Sequence, residues 1–310
     1  MDTELRDPWL VAVWPGMGSV AIGAGLHLVN ALGLEPSGEL EAAEHFDIQQ
    51  IDVENGIARP GRLSRNLFYR YRHPGDGRDL ILFVGEEQPA VGSYAFCHTL
   101  LDAAIPMGVS RVITFASMAS QLHPSKEPRV FGVATSQSML IEAERCGAEP
   151  LREGQIGGLN GVLLSAGAER GVPGLSLLGE IPFFAAGVPN PKASRAVLRA
   201  FLKAASLEVD LSPLDEQAEA VDEALLQLLE RMRAEGEIPE GALGMEPSEE
   251  PQPAAREQEI DPATQAKIET LFEEARQDRA KAFRLKEELD RLGVFEAFED
   301  RFLDLFRRAE

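Results

Sequence analysis

Cysteine is scarce in this sequence, with only Cys97 and Cys146 among 310 residues. Two thiols cannot build a disulfide framework, and so few fit a reducing compartment. Basic residues are also few: 30 Lys and Arg stand against 51 Asp and Glu, for a formal net charge of -21. Nucleic acids and anionic membranes recruit positive protein surface, so neither is expected as a main partner. No apolar run reaches the ~20 residues of a membrane-spanning helix. The first residues, MDTELRDP, carry acids where a signal peptide carries bases, so a cytoplasmic protein is expected. The five histidines (His27, His45, His73, His98 and His123) show no metal-ligand spacing with one another or with the cysteines. There is no G-x-S-x-G elbow and no Gly-Lys-Ser/Thr phosphate loop. No cofactor, metal or catalytic residue is expected, and a non-enzymatic role is the first reading.

What is present is an α/β pattern, short apolar runs alternating with helical segments over the first ~210 residues. The buried-strand runs are Leu10–Trp14, Asp79–Gly85, Arg111–Ser117, the segment VFGVAT and the segment LSLLGE. Phe46–Val53 and Leu67–Tyr71 alternate and read as further strands, with HPGDGRD as a hairpin turn before Asp79. Helices are expected after the Pro15-Gly16 turn, from Gly92 to about Met107, and around Gln137–Glu144 and Leu159–Arg170. Asn190-Pro191 reads as an N-cap and first helical residue. Ser212 reads as the cap of a helix that packs through Val221, Leu225, Leu228 and Leu229.

Charge divides the rest. Leu207 to Asp261 holds 17 acidic and 3 basic residues. Glu235–Glu259, rich in Pro, Glu and Gly, reads as an extended linker. Beyond Asp261-Pro262 a helical pattern with an incomplete apolar stripe runs to about Arg291, and Gly293 breaks it before a last helix carrying Phe295, Phe298, Phe302 and Phe306. The expected organisation is an α/β domain over 1–234, an acidic linker over 235–260 and a helical arm over 261–310.

Three segments are candidates for ligand contact, because open α/β sheets bind ligands at the carboxyl ends of their strands. Gly16, Gly18 and Ser19 follow the first strand, where N–H groups at a helix start can hold a phosphate. The glycine spacing of a dinucleotide site is absent, so the plain alternative is a tight turn. Glu86, Glu87 and Gln88 follow the strand DLILFV; they offer two carboxylates and an amide to a ligand hydroxyl or base edge, or else form a solvated loop at a helix start. Gly158 and Asn160 lie in the run GGLNG, where glycines allow close backbone approach. Ser117 and Met118 end the next buried strand and are expected at the same sheet edge as the other three.

The segments PGMGSVAIGAGLHLVNALG (15–33), DLILFVGEEQPAVGSYAFCHTLLDAAIPMGVSRVITFASM (79–118) and GGLNGVLLSAGAERGVPGLSLLGEIP (157–182), with the PNPKASRAVL helix, occur in an order and spacing that resembles the proteasome assembly chaperone 2 family, in its bacterial and archaeal branch. The resemblance spans roughly residues 8–233. It implies a phosphorylase/nucleosidase-like three-layer α/β sandwich with helices on both faces, here followed by a C-terminal helical extension. It also implies a scaffolding role related to proteasome assembly, protein partners with proteasome subunits among the candidates, and a homo-oligomer. Some members carry a C-terminal hydrophobic-Tyr-any tripeptide that docks into the proteasome. Arg308-Ala309-Glu310 departs from it, which speaks against docking by that route. The alternative kept open is a nucleoside-like small-molecule binder or enzyme using the strand-end loops.

Overall fold

The computed structural model describes residues 5–48, 51–59, 61–234, 267–273 and 285. Eight strands form one mixed sheet. In chain order they are β1 (Trp9–Val13), β2 (Pro36–Glu39), β5 (Asn66–Tyr71), β6 (Leu80–Gly85), β7 (Arg111–Ser120), β8 (Val130–Ala134), β9 (Glu149–Pro150) and β10 (Gly174–Pro182). Their order across the sheet is β2-β5-β6-β1-β7-β10-β8-β9. The four central strands β6, β1, β7 and β10 run parallel, with Trp9 level with Leu80 and Arg111, and Ile113 level with Leu175. β5 and β8 flank them antiparallel. A separate hairpin, β3 (Asp52–Glu54) and β4 (Ile57–Arg59), stands apart from this sheet.

Both faces of the central strands are covered, which is why they read as unbroken apolar runs rather than alternations. Every residue of β1, β6 and β10 is buried. Val11, Val13, Leu80, Leu82, Ile113 and Leu177 share one core with residues of α1 (Val20–Ala31) and α5 (Pro191–Ala205). Leu10, Ala12, Ile81, Phe83 and Val112 share the other with residues of α2 (Ser93–Ala104) and α4 (Gly158–Glu169). The result is the expected helix–sheet–helix sandwich. α1 approaches so closely that a Cβ on Gly25 would lie 2.4 Å from a methyl of Val13, a contact only glycine permits. The remaining helices are α3 (Gln137–Arg145) and α6 (Ser212–Ala234).

Several details depart from the sequence reading. Phe46–Val53 is not one strand: Phe46–Ile48 is irregular, packed through Phe46 against Phe96 at 5.4 Å, and only Asp52–Glu54 is extended in a ladder. β2 and β9 went unread because each is short and contains a proline. β7 continues past Ser117 and Met118 to Ser120, paired with Pro182 of β10, so those two residues lie inside the strand. Ser212 is the first residue of α6 rather than its cap; Asp210 Oδ1 accepts from the Ser212 N–H at 3.0 Å and from its hydroxyl at 2.7 Å. The cap on α5 is as read: Asn190 Oδ1 accepts from the Ala193 N–H at 2.9 Å, with Pro191 next.

α6 packs on α5; its buried residues are Leu214, Ala218, Leu225 and Leu229, while Val221 and Leu228 are half-buried. Asp222 falls on that same stripe. It is paired there with Lys192, which is 9% exposed on α5. One turn further on α5, Arg195 is paired with Asp215 of α6 and, at 2.5 Å, with Glu127.

The chain divides into two compact units, Met1–Met245 and Glu246–Glu310. In the second, residues 267–273 are helical, with Ile268 and Phe272 buried. The linker expected over 235–259, the break at Gly293 and the last aromatic helix lie outside the described residues. Among the described residues no helix is long and apolar enough to cross a membrane.

Candidate functional site

The parallel strands β1, β6, β7 and β10 end at one edge of the sheet, and the loops that leave it interlock. After β1 the chain makes a single 3-10 turn, Met17–Ser19, with Gly18 at φ +63° and Ser19 at φ +49°. Gly18 donates its N–H to Ala186 O at 2.7 Å and accepts from the Asn190 N–H at 2.8 Å; the Ser19 N–H returns to Gly16 O. Two N–H groups of the turn, those of Gly18 and Ser19, are therefore held by protein carbonyls rather than open to a phosphate. A Cβ on Gly18 would meet Ile181 at 3.1 Å, so the turn is also filled sterically. The plain alternative, a tight strand–helix turn, describes this segment.

Gln88 ties the second loop to the first and third. Its Nε2 donates to Pro15 O at 2.7 Å, and its Oε1 accepts from the Leu159 N–H at 3.0 Å. One side-chain amide thus joins the end of β1 to the start of α4. Gly158, at φ +70°, comes so near that a Cβ would lie 2.8 Å from Gln88 Oε1. The Ser117 hydroxyl donates to Met17 O at 2.7 Å and joins β7 to the same knot.

Glu86 turns away from this knot. It receives Arg62 Nη1 at 2.5 Å and Nη2 at 3.1 Å, and the Arg65 N–H at 2.9 Å. Arg62, and then the Arg65 amide, hold its carboxyl below the usual range despite some burial. Glu87 is exposed. The two adjacent carboxylates therefore diverge and form no general acid/base pair. Met118 is half-buried against Ala116, Phe131 and Leu178.

Asn160 is 6% exposed, and its main-chain oxygen accepts from the Thr114 hydroxyl at 3.0 Å. Its Oδ1 is buried without a partner, and so is Ser176 Oγ on β10. Ser176 is level with Thr114, so the two hydroxyl residues share a sheet face below the start of α4. Sequence reasoning missed Thr114 and Ser176; the signal was a hydroxyl residue inside each of two buried runs.

It also missed Glu180, 3% exposed near the end of β10. Arg129 grips it through Nε at 3.1 Å and Nη2 at 2.9 Å, and the Ser120 hydroxyl donates at 2.7 Å. Burial pushes this carboxyl up, yet the bonds from Arg129 and Ser120 outweigh it and leave it below its ordinary range. An acid inside the run LSLLGEIP was the available signal.

The thiols carry no chemistry of note. Cys97 is buried in the core, where desolvation pushes it up to about 12, and burial also raises Cys146. Among the described residues no group of three or more His, Cys, Asp or Glu could hold a metal ion. An open depression of about 450 Å³, lined by Arg6, Arg72, His73, Pro74, Gly75 and Asp76, lies by the turn that leads into β6, at the opposite edge of the sheet.

Known proteins share this architecture. The crystal structure of Pyrococcus furiosus PbaB, an archaeal proteasome activator, matches with a TM-score of 0.64 and 29% identity, covering 74% of this chain and 96% of that one. The Mycobacterium tuberculosis proteasome-assembly chaperone homologue Rv2125 matches with a TM-score of 0.61 and 27% identity, covering 70% and 94%. The uncharacterized protein MJ1210 of Methanocaldococcus jannaschii is 27% identical over 259 residues, 79% of this chain and 91% of the relative. The PAC2 family model matches residues 10–229, the span that contains the sheet, its helices and the knotted edge, and the chain therefore belongs to the PAC2 family.

Proposed function

We propose that the chain is a non-enzymatic scaffold of the assembly-chaperone type, which self-associates and binds protein partners, proteasome subunits among them. The observation that carries this reading is the knot at the strand ends. Gln88, the Gly18 turn and Ser117, the groups placed where an α/β enzyme binds its ligand, are bonded instead to backbone atoms of Pro15, Leu159, Ala186, Asn190 and Met17. A surface built this way offers shape rather than reactive groups. The likeness to an archaeal proteasome activator and to a proteasome-assembly chaperone homologue supports the direction. In this reading the acidic stretch 235–260 is a linker, and residues 261–310 form an arm for oligomerisation or partner docking. Capture on the tagged full chain from a native lysate, read by mass spectrometry, is expected to recover proteasome subunits above a tag-only control. Recovery at background level refutes the partner.

A second reading, a small-molecule binder, draws on Asn160 Oδ1 and Ser176 Oγ, two buried polar atoms without partners. Nucleosides at millimolar concentration are then expected to raise the melting temperature of the chain but not of an Asn160→Leu variant. An unchanged melting temperature for the parent chain removes this reading.

A further inference from the structure

We infer that the end of α6 and the two loops beside it form a docking surface for an acidic segment of a partner protein that carries a large apolar side chain. The inference rests on the interaction reading above and names the chemistry of one partner surface.

The apolar half is a pair of rings. Phe183 is 44% exposed and packs edge-on against Phe184, with centroids 5.7 Å apart. Phe184 and Met232 close over the buried Leu229 of α6. This joins the turn after β10 to the last turn of α6.

The polar half is cationic. His123 is held below its ordinary range by burial and then by the charges of Arg233 and Lys126, so both cations act on the region around one imidazole. Neither Lys126 nor Arg233 has an ion-pair partner among the described residues, and Arg233 Nε is buried without a hydrogen bond. The nearby carboxylates are engaged elsewhere, Glu127 with Arg195 and Asp222 with Lys192. Glu230, one turn before Arg233, is exposed.

In a chain of net charge -21, unpaired cations near an exposed ring mark a place where a negative partner gains and a positive one is repelled. Aromatic residues with flanking Arg are the composition of interface hot spots. A segment that brings carboxylates to Lys126 and Arg233 and an apolar side chain to Phe183 supplies what both halves lack.

The test is fluorescence anisotropy of a labelled peptide in which Glu alternates with Phe and Leu, titrated with the full chain. Saturable binding is expected, weakened roughly tenfold or more by Arg233→Glu and by Phe183→Ser, and weakened again at about 0.5 M salt. A peptide with Lys in place of Glu is expected not to bind. Thermal melts check that the variants fold, and Lys126→Glu, on an exposed loop, replaces any that do not. No binding, equal binding of the Lys peptide, or variants that bind like the parent overturn the proposal. Sedimentation of the full chain decides the source: if Phe183→Ser lowers the mass of a self-associated species, the occupant is a second copy and the partner-protein assignment falls. A failed titration with proteasome-subunit capture intact refutes this surface alone. Loss of capture in the parent chain refutes the proposed function instead.

Discussion

Truncating Lys192 to alanine is expected to destabilise the α/β unit by about 3–5 kcal/mol, the cost of removing one partner from a buried ion pair. The Lys192 side chain is 11% exposed, and that of Asp222 is 24% exposed. Nζ also donates to Pro124 O at 2.8 Å. Without it, Asp222 remains on the stripe between Ala218 and Leu225 with no opposing charge, and the Pro124 carbonyl loses its donor. Solvation of the partly exposed Asp222 carboxylate offsets part of this. Replacing both partners, Lys192→Met with Asp222→Leu, removes the charges together and is expected to recover most of the loss. Urea unfolding followed by circular dichroism measures both. A single-variant cost below about 1 kcal/mol, the range of an exposed pair, would mean that the pair does not hold α6 to α5.

The second large effect is expected at Glu180. Glu180→Ala should cost about 2–3 kcal/mol, because the bonds that Arg129 and the Ser120 hydroxyl make to a buried carboxylate are lost, while Arg129 itself stays partly in water and within 3.8 Å of Glu149. The same site gives a pH dependence of known sign. An unfolded glutamate titrates near 4.3, and in the fold this one lies lower, since Arg129 and Ser120 outweigh burial. The folded chain therefore holds fewer protons at this position. Its contribution is complete above the unfolded value and is lost as the pH falls through the lower folded one. Melting temperatures taken from pH 6 downward are expected to fall more steeply below about 4.5 in the parent chain than in Glu180→Gln. Parallel curves would place the acid sensitivity elsewhere.

The central strands and long helices were legible because their signals are local. Leu10–Trp14 and LSLLGE are unbroken apolar runs because both faces of the sheet are covered, and Asn190-Pro191 starts a helix through its own side chain. What escaped depends on partners distant in sequence. Gln88 looked like a ligand group because its own partners, Pro15 O and Leu159 N, are backbone atoms that no side-chain pattern marks. Lys192 and Asp222 are ordinary helix residues until two helices are laid together. Glu86 was placed at the right strand end, but the direction of its side chain depends on Arg62, which the sequence puts in an unpatterned stretch.

The two outer strands carry a consequence for assembly. β2 has four residues, begins with Pro36 and pairs with β5 through a register shift; β9 has only Glu149 and Pro150. A free strand edge recruits another chain by extending the hydrogen-bonded ladder, and short, proline-bearing, irregular edges prevent it. The eight-stranded sheet is thus closed to growth at both margins. Association at this sheet is therefore expected through side chains on helices and loops rather than through a shared ladder. Such contacts can be exchanged during an assembly process, whereas a shared ladder between chains would tend to persist.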